Sequence, residues 1–284
     1  MTMTLTAPRL ERTNVAAPRR QRAEGRLAIS VSADGGRTRV ERLAESGAAR
    51  LRLPRADVGL EAVMLNVAGG LACGDVMSVE ALAGAGATLS LATPGAERVY
   101  RSDGPDTTVS TRLEVCAGAS LLWAPQETIL FDRARLVRRL DAEVAPDAAL
   151  TVYEGVAFGR KARGETVETG LLEDRWRVSR GGRLAFAETL SLRGPVSELL
   201  ARKTVAGGAS AIATILHMAP HAEARLDPAR DALAAHPAVE SGASAWNGML
   251  VVRLLAPSSE RVRDAARALL PLLLGRPLPR VWTC

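Results

Sequence analysis

The sequence predicts a mainly β protein whose helices lie in its C-terminal third. Short runs that alternate apolar and polar residues fill the chain from residue 26 to about residue 192. Glycine, aspartate and proline separate these runs, as turn residues do. After residue 205 some apolar residues recur at helical spacing. The chain has 284 residues, of which 47% are hydrophobic, and this allows a sizeable core.

The first predicted element is a hairpin. The segment "RLAISVSADGGRTRVERL" places two strands around an Asp-Gly-Gly turn, because these residues accept positive φ. Alternation puts Leu27, Ile29 and Val31 on one face of the first strand. Further strands are predicted over residues 60–66, 76–82, 87–93, 108–115, 119–123, 135–144, 148–157, 171–179 and 183–192.

A weak repeat runs through these strands. Its copies are "GATLSL", "GASLLW", "DAALTV" and "GRLAF", and each places a tight turn just before a leucine. The leucines are Leu89, Leu121, Leu150 and Leu184, at a spacing of roughly thirty residues. Such a period is typical of stacked β layers that share a core, and equally of a meandering sandwich with similar turns. The repeat alone does not separate these two architectures.

The C-terminal third mixes strands and helices. "ASAIATILHM" and "NGMLVVRLLA" read as strands, and "AEARLDPARDALAAH" reads as a helix. "SSERVRDAARALLPLLLG" predicts a second helix, capped by Ser258 or Ser259. Its apolar face contains Val262, Ala265, Ala266, Leu269 and Leu270. We therefore predict one domain over 26–284, β-rich over 26–204 and mixed α/β over 205–284.

Composition argues against several classes of function. The formal charge is +6, but acids are interspersed with the basic residues and aromatics make up only 3%, which speaks against nucleic-acid binding. No apolar run is long enough to span a bilayer, so no membrane partner is expected. Three widely spaced cysteines indicate neither a disulfide framework nor a zinc cage. Residues 1–25 are predicted to form a disordered basic tail, and the cytoplasm is the expected compartment.

Common catalytic signatures are absent from the sequence. There is no GxGxxG after a strand, no Walker loop and no GxSxG elbow. His217 and His221 have the spacing of a metal pair, but Pro220 interrupts the helix that this spacing requires. These observations favour a binding or scaffold protein over an enzyme. The alternative is a β-solenoid enzyme that acts on a sugar or polyanion with paired carboxylates in an open groove.

Several carboxylates follow the repeat leucines at short distances. Stacked layers would bring some of them together, where they would line a polar passage for a cation. The plainer interpretation is that each accepts a hydrogen bond in a turn or pairs with a nearby arginine. The carboxylates that follow the leucines are Glu97, Glu127, Glu154 and Glu188, and Asp75 would join them in such a passage.

Five motifs follow one another along the chain: "LNVAGGLACGD", "TPGAERVYRS", "LLWAPQETILFDRARL", "FGRKARGETVETG" and "LPRVWTC". Taken in this order, they resemble the family of urease accessory proteins called UreD, or UreH in some organisms. The resemblance keeps its order from about residue 26 to the end and covers nearly the whole chain.

The resemblance implies a non-enzymatic maturation factor for urease, a nickel enzyme. It implies a β-helix-like stack of strands with flanking helices. The expected partners are the urease structural subunits, the accessory protein UreF and, through UreF, the GTPase UreG. The resemblance implies no tightly bound cofactor, only transient Ni²⁺ that crosses the protein by a polar tunnel.

The resemblance also assigns residues. The acids expected along the nickel path are Asp75, Glu154, Glu165 and Glu188. The positions expected to maintain the family's structural motifs are Gly69, Gly70, Gly74, Tyr100, Arg101, Gly159, Arg160 and Trp282. Tyr100 and Arg101 are equally compatible with a partner surface.

Overall fold

The computed structural model describes residues 22–283. The predicted disordered tail therefore lies outside the described residues, except for residues 22–25. Strands are numbered along the chain as β1 (Glu24–Asp34), β2 (Arg37–Gly47), β3 (Ala49–Arg52), β4 (Leu60–Asn66), β5 (Val76–Ala83), β6 (Thr88–Ala92), β7 (Glu97–Val99), β8 (Thr107–Val115), β9 (Ser120–Ala124), β10 (Thr128–Leu130), β11 (Arg135–Val144), β12 (Ala149–Phe158), β13 (Thr169–Arg180), β14 (Arg183–Pro195), β15 (Ala211–Met218), β16 (Glu240–Trp246) and β17 (Met249–Ala256). The helices are α1 (Val196–Ala201), α2 (Leu226–Ala234) and α3 (Ser259–Leu274), with 3-10 turns at Lys161–Arg163, Ala222–Arg225 and Arg280–Trp282.

The strands form two large sheets that the chain visits alternately. One sheet has seven strands in the order β14-β13-β11-β8-β5-β1-β2, and the other has ten, with the path β16-β17-β15-β12-β9-β6-β4-β3. Strands β1, β5, β8, β11 and β13 run parallel in the first sheet. Strands β4, β6, β9 and β12 run parallel in the second. The predicted mainly β class, with β-helix-like stacking and C-terminal helices, is confirmed.

The repeat leucines show how the layers stack. Leu60, Leu89, Leu121 and Leu150 face one another across successive strands β4, β6, β9 and β12. The last three are fully buried, and burying one such side chain contributes about 1.5–3 kcal/mol. The fourth predicted copy is wrong. Leu184 lies in β14 of the other sheet and is 49% exposed, because β14 is the edge strand of that sheet and pairs antiparallel with β13.

Short elements escaped the sequence prediction. Strands β7 and β10 pair with each other, and β10 pairs with the second half of β12, which makes a narrow third face of the stack. Strands β3 and β16 and helix α1 were also not predicted. Elements of three to seven residues show too little periodicity to stand out from their surroundings.

Two apolar cores share strand β12. Leu150, Val152 and Val156 point between the two sheets, whereas Tyr153 points to the opposite face, beneath α3. This explains why nearly every residue of β12 is buried. Ser258 caps α3 through its hydroxyl, which accepts from the Arg261 amide at 3.5 Å. The predicted apolar face of α3 is buried, as are the predicted inward residues of β1.

Among the described residues, no helix combines the length and the apolar character needed to cross a membrane.

Candidate functional site

Two cavities lie where the sheets of the stack face each other, and both are partly open to solvent. The larger has a volume of about 100 Å³ and is mainly apolar, with Glu97, Arg138 and Glu154 among its polar lining residues. The smaller has a volume of about 20 Å³ and is lined by Asp174 and Glu188 together with Arg138 and Glu154. Because Arg138 and Glu154 line both cavities, they form the boundary between them.

The boundary is a buried cluster of one guanidinium and two carboxylates. Arg138 donates through Nη2 to Asp174 Oδ2 at 2.5 Å and through Nη1 to Glu154 Oε2. Two indoles complete the cluster: Trp123 Nε1 donates to Glu154 Oε1 at 2.8 Å, and Trp176 Nε1 donates to Asp174 Oδ1 at 3.2 Å. The three charged side chains are at most 8% exposed.

The cluster is electrostatically unbalanced. With both carboxylates ionised it has a net charge of −1, and a single proton neutralises it. Burial raises the pKa of Glu154 to about 7, while Arg138 lowers it and Asp174 raises it further. Burial by itself would lower the pKa of Arg138, but Asp174 and Glu154 outweigh this and raise it above its ordinary value. Glu154 is therefore the cluster's proton acceptor near neutral pH.

Strand alternation places Arg138 and Asp174 inside the protein. Arg138 lies between the inward residues Leu136 and Leu140 of β11, and Asp174 lies between Leu172 and Trp176 of β13. The two are directly paired across parallel strands. Neither residue was among the predicted site residues. A charge at an inward position of an alternating strand is the signal that would have identified both.

Of the four acids predicted along the nickel path, the structure brings two together. Glu154 and Glu188 line the smaller cavity, where Glu188 also pairs with Arg253 at 3.0 Å. The other two lie elsewhere. Asp75 accepts from the amides of Ala72 and Ala23 at 2.7 and 2.8 Å. Whether Asp75 contacts nickel stays a prediction.

Glu165 pairs with Arg160 through a two-pronged hydrogen bond, at 2.7 and 2.9 Å. This bond lowers the pKa of the Glu165 carboxyl below its ordinary value. Glu165 lines neither of the two cavities, so its role on a nickel path also stays a prediction.

The glycine motif closes a turn against an aromatic ring. Gly69, Gly70 and Gly74 all have positive φ. A Cβ on Gly70 would lie 2.5 Å from the Tyr100 ring, which is closer than side-chain atoms approach each other. The Tyr100 hydroxyl donates to the Gly69 carbonyl at 3.0 Å. Arg101 forms an isolated antiparallel β-bridge with Ala134.

The other motif residues also make defined contacts. Gly159 has φ of 80°, and Arg160 places its guanidinium 4.3 Å from the centre of the Phe131 ring. Trp282 is fully buried, donates through Nε1 to the Ala124 carbonyl at 2.9 Å and packs edge-on against Tyr153. Through these contacts the segment after β12 and the C-terminal segment pack against the strands of the stack.

Comparison with known proteins gives a family for this architecture. The family model described as "UreD urease accessory protein" matches residues 23–283. The chain belongs to the UreD family. A "Urease accessory protein UreD" from Methylobacterium sp. (strain 4-46) is 56% identical over 271 residues, covering 93% of this chain and 96% of the relative. One from Azorhizobium caulinodans is 52% identical over 267 residues, covering 94% of this chain and 98% of the relative. Membership of the UreD family implies a role in urease maturation.

The stack encloses Glu154 and Asp174 instead of presenting them to solvent. Within residues 22–283, no group of three or more His, Cys, Asp and Glu side chains is placed to hold a metal ion. Glu154 and Asp174 are buried and share one arginine, whereas a glycoside hydrolase needs its two carboxyl groups in a groove that admits a sugar. This enclosure counts against the alternative of a β-solenoid hydrolase.

A second buried ionisable group makes stability depend on pH. His217 is 5% exposed, and its Nδ1 lies 2.9 Å from Thr151 Oγ1. Burial, with a smaller contribution from Arg225, lowers the pKa of His217 to about 4 from 6.5. Between about pH 6.5 and pH 4, His217 is protonated in the unfolded chain but neutral in the folded chain. The free energy of unfolding therefore falls as the pH falls through this range. Glu154 has the opposite effect on stability. Because its pKa is raised in the folded chain, the folded chain binds this proton at a higher pH than the unfolded chain does.

We expect His217→Asn to remove the acid-side loss. The free energy of unfolding of the variant relative to the wild type should increase by up to about 3 kcal/mol between pH 7 and pH 4. Urea denaturation across this range measures the free energy of unfolding of both proteins. Comparing how it changes with pH in each removes any constant packing cost of the substitution. His221→Asn, at an exposed histidine with positive φ, is the control. A pH dependence unchanged in His217→Asn would contradict the prediction.

Proposed function

We propose that this protein is a cytoplasmic scaffold that binds apo-urease and the accessory protein UreF, and UreG through UreF. It helps to deliver nickel to the urease active site and catalyses no reaction itself. UreD family membership supports the maturation role. The observation that supports nickel delivery by this chain is the buried cluster of Arg138, Glu154 and Asp174 between two cavities, in which two carboxyl groups share one cation.

Along the proposed route, carboxylates run from one half-buried position to another. Glu97 lines the larger cavity and is half-buried, Glu154 and Asp174 occupy the buried boundary, and Glu188 is half-buried beside the smaller cavity. Burial raises the pKa of Glu97 as well. Oxygen ligands hold Ni²⁺ more weakly than a histidine or cysteine cage does. A path lined by carboxylates therefore suits an ion that must be released.

Arg138 and a proton both compete with nickel at the cluster. The guanidinium already occupies one oxygen of each carboxylate, and Glu154 binds a proton near pH 7. Metal ligands must give up such partners before they bind. The competition keeps nickel from being trapped, which is the requirement for conduction between sites.

The test is complementation of a strain that lacks this gene but retains urease and the other accessory genes. The strain itself should accumulate urease without nickel. The variant Arg138→Met/Glu154→Gln/Asp174→Asn removes every charge of the cluster, so it leaves no orphaned charge in the core. We expect the variant to co-purify with urease and UreF, and urease activation to fall at least about tenfold, equivalent to about 1.4 kcal/mol.

Glu114→Gln is the matched control, because it neutralises an exposed acid of β8 outside both cavities. Activation in this control should stay close to that of the wild type. Full urease activity in the deletion strain would exclude the maturation role. Normal activation by the triple variant, or an equal loss in the control, would exclude the route through the cluster while leaving the scaffold role intact.

A further inference from the structure

A separate cleft opens on the third face of the stack, away from the nickel route. Its volume is about 540 Å³, and it lies where three of the five motifs meet. "TPGAERVYRS" contributes Arg98, "LLWAPQETILFDRARL" contributes Ile129 and Phe131, and "FGRKARGETVETG" contributes its cationic residues. The start of helix α3 forms another part of the lining. Nothing in the proposed nickel route uses these residues.

Four cationic side chains line this cleft: Arg98, Arg160, Lys161 and Arg163. Glu165 neutralises Arg160 from outside the lining, which leaves an excess of three positive charges. Within residues 22–283, neither Arg98 nor Arg163 makes an ion pair. Like charges gathered in a concave surface repel one another, and a bound anion relieves this repulsion.

Two of the four cations, Arg160 and Lys161, are held in place by the surrounding structure. Arg160 is fixed between the Glu165 carboxylate and the Phe131 ring. Lys161 donates through Nζ to the Pro257 carbonyl, just before α3. A guanidinium that is already oriented loses less side-chain freedom when it binds a ligand. In an ordinary solvated basic face the side chains lack such contacts, whereas Arg160 and Lys161 are already oriented here.

Neutral polar groups complete the lining. Ser210, Ser258 and Ser259 lie at the cleft, and Ile129 and Phe131 provide an apolar floor. Helix α3 begins here, so the positive end of its dipole adds to the field of the side chains. Arginine forks, a lysine and serine hydroxyls are the groups with which proteins bind phosphate and carboxylate oxygens.

We propose that this cleft is an anion-binding site for a ligand with two or more negative charges on phosphate or carboxylate groups. The positive excess, the concave shape and the pre-oriented Arg160 carry the proposal. The site goes beyond the proposed nickel-delivery function and does not depend on it. Occupation of the cleft would join β7, the loop after β12 and the start of α3 through one ligand.

Isothermal titration of the full-length chain with inorganic pyrophosphate and, separately, with citrate tests the proposal without nickel or partners. We expect at least one anion to bind, and Arg98→Gln/Arg163→Gln to raise its dissociation constant at least about tenfold. Tighter binding of pyrophosphate would identify a phosphate site, and tighter binding of citrate a carboxylate site. Added salt should weaken binding, because the contacts are charged and partly exposed.

Arg37→Gln/Arg139→Gln is the control, since it removes the same charge from exposed positions outside the cleft. Its dissociation constant should stay within about twofold of the wild-type value. Thermal unfolding first establishes that both variants fold, and Arg163→Gln alone replaces the double variant if that variant does not. An equal loss in the control, or no binding of either anion to the wild type at about 1 mM, would overturn the proposal.

Discussion

Arg138→Met should lower the free energy of unfolding by about 3–5 kcal/mol. The substitution keeps a long unbranched side chain but leaves Glu154 and Asp174 buried without their shared cation. The loss should be larger near pH 8 than near pH 5, because protonation relieves the uncompensated charge. Urea denaturation with a constant m-value measures the change.

Two further variants isolate the cause of this loss. Arg139→Met changes the neighbouring arginine of β11, which points to solvent, and should cost less than about 0.5 kcal/mol. Adding Glu154→Gln and Asp174→Asn to Arg138→Met removes both orphaned charges and should recover most of the loss. If Arg138→Met is no worse than Arg139→Met, the cluster does not stabilise the fold through its charges.

The stack was predictable because its strands repeat a simple pattern. Alternation in β1 and the aligned leucines of β6, β9 and β12 both express the burial of one strand face. The repeat did not by itself separate a stack from a sandwich, because that choice depends on which strands pair. Leu184 shares the turn-then-leucine pattern with the true copies, yet it lies in a hairpin whose pairing is local. The local sequence specifies the turn, but it does not specify which strand pairs with the one that follows.

The candidate site was only half predictable for a related physical reason. Glu154 was expected from the family resemblance, but Arg138 lies 16 residues from Glu154 and 36 residues from Asp174 in the chain. Their closeness follows from the parallel register of β11 and β13, which the sequence does not state. Asp75 stood out in a glycine-rich loop, and its observed contacts are those of a turn acceptor, which is the plainer of the two interpretations.

Trp282→Ala should cost about 3–5 kcal/mol of the free energy of unfolding. The indole is fully buried near the C-terminus, contacts Tyr153 at 5.0 Å between ring centres and donates to the Ala124 carbonyl. Its removal leaves a cavity between β12 and the C-terminal segment, and it leaves that carbonyl without its donor. Trp246→Ala, at a tryptophan that is 40% exposed, is the control and should cost less than about 1 kcal/mol. Similar losses in the two variants would show that the C-terminal segment is not anchored to the stack through Trp282.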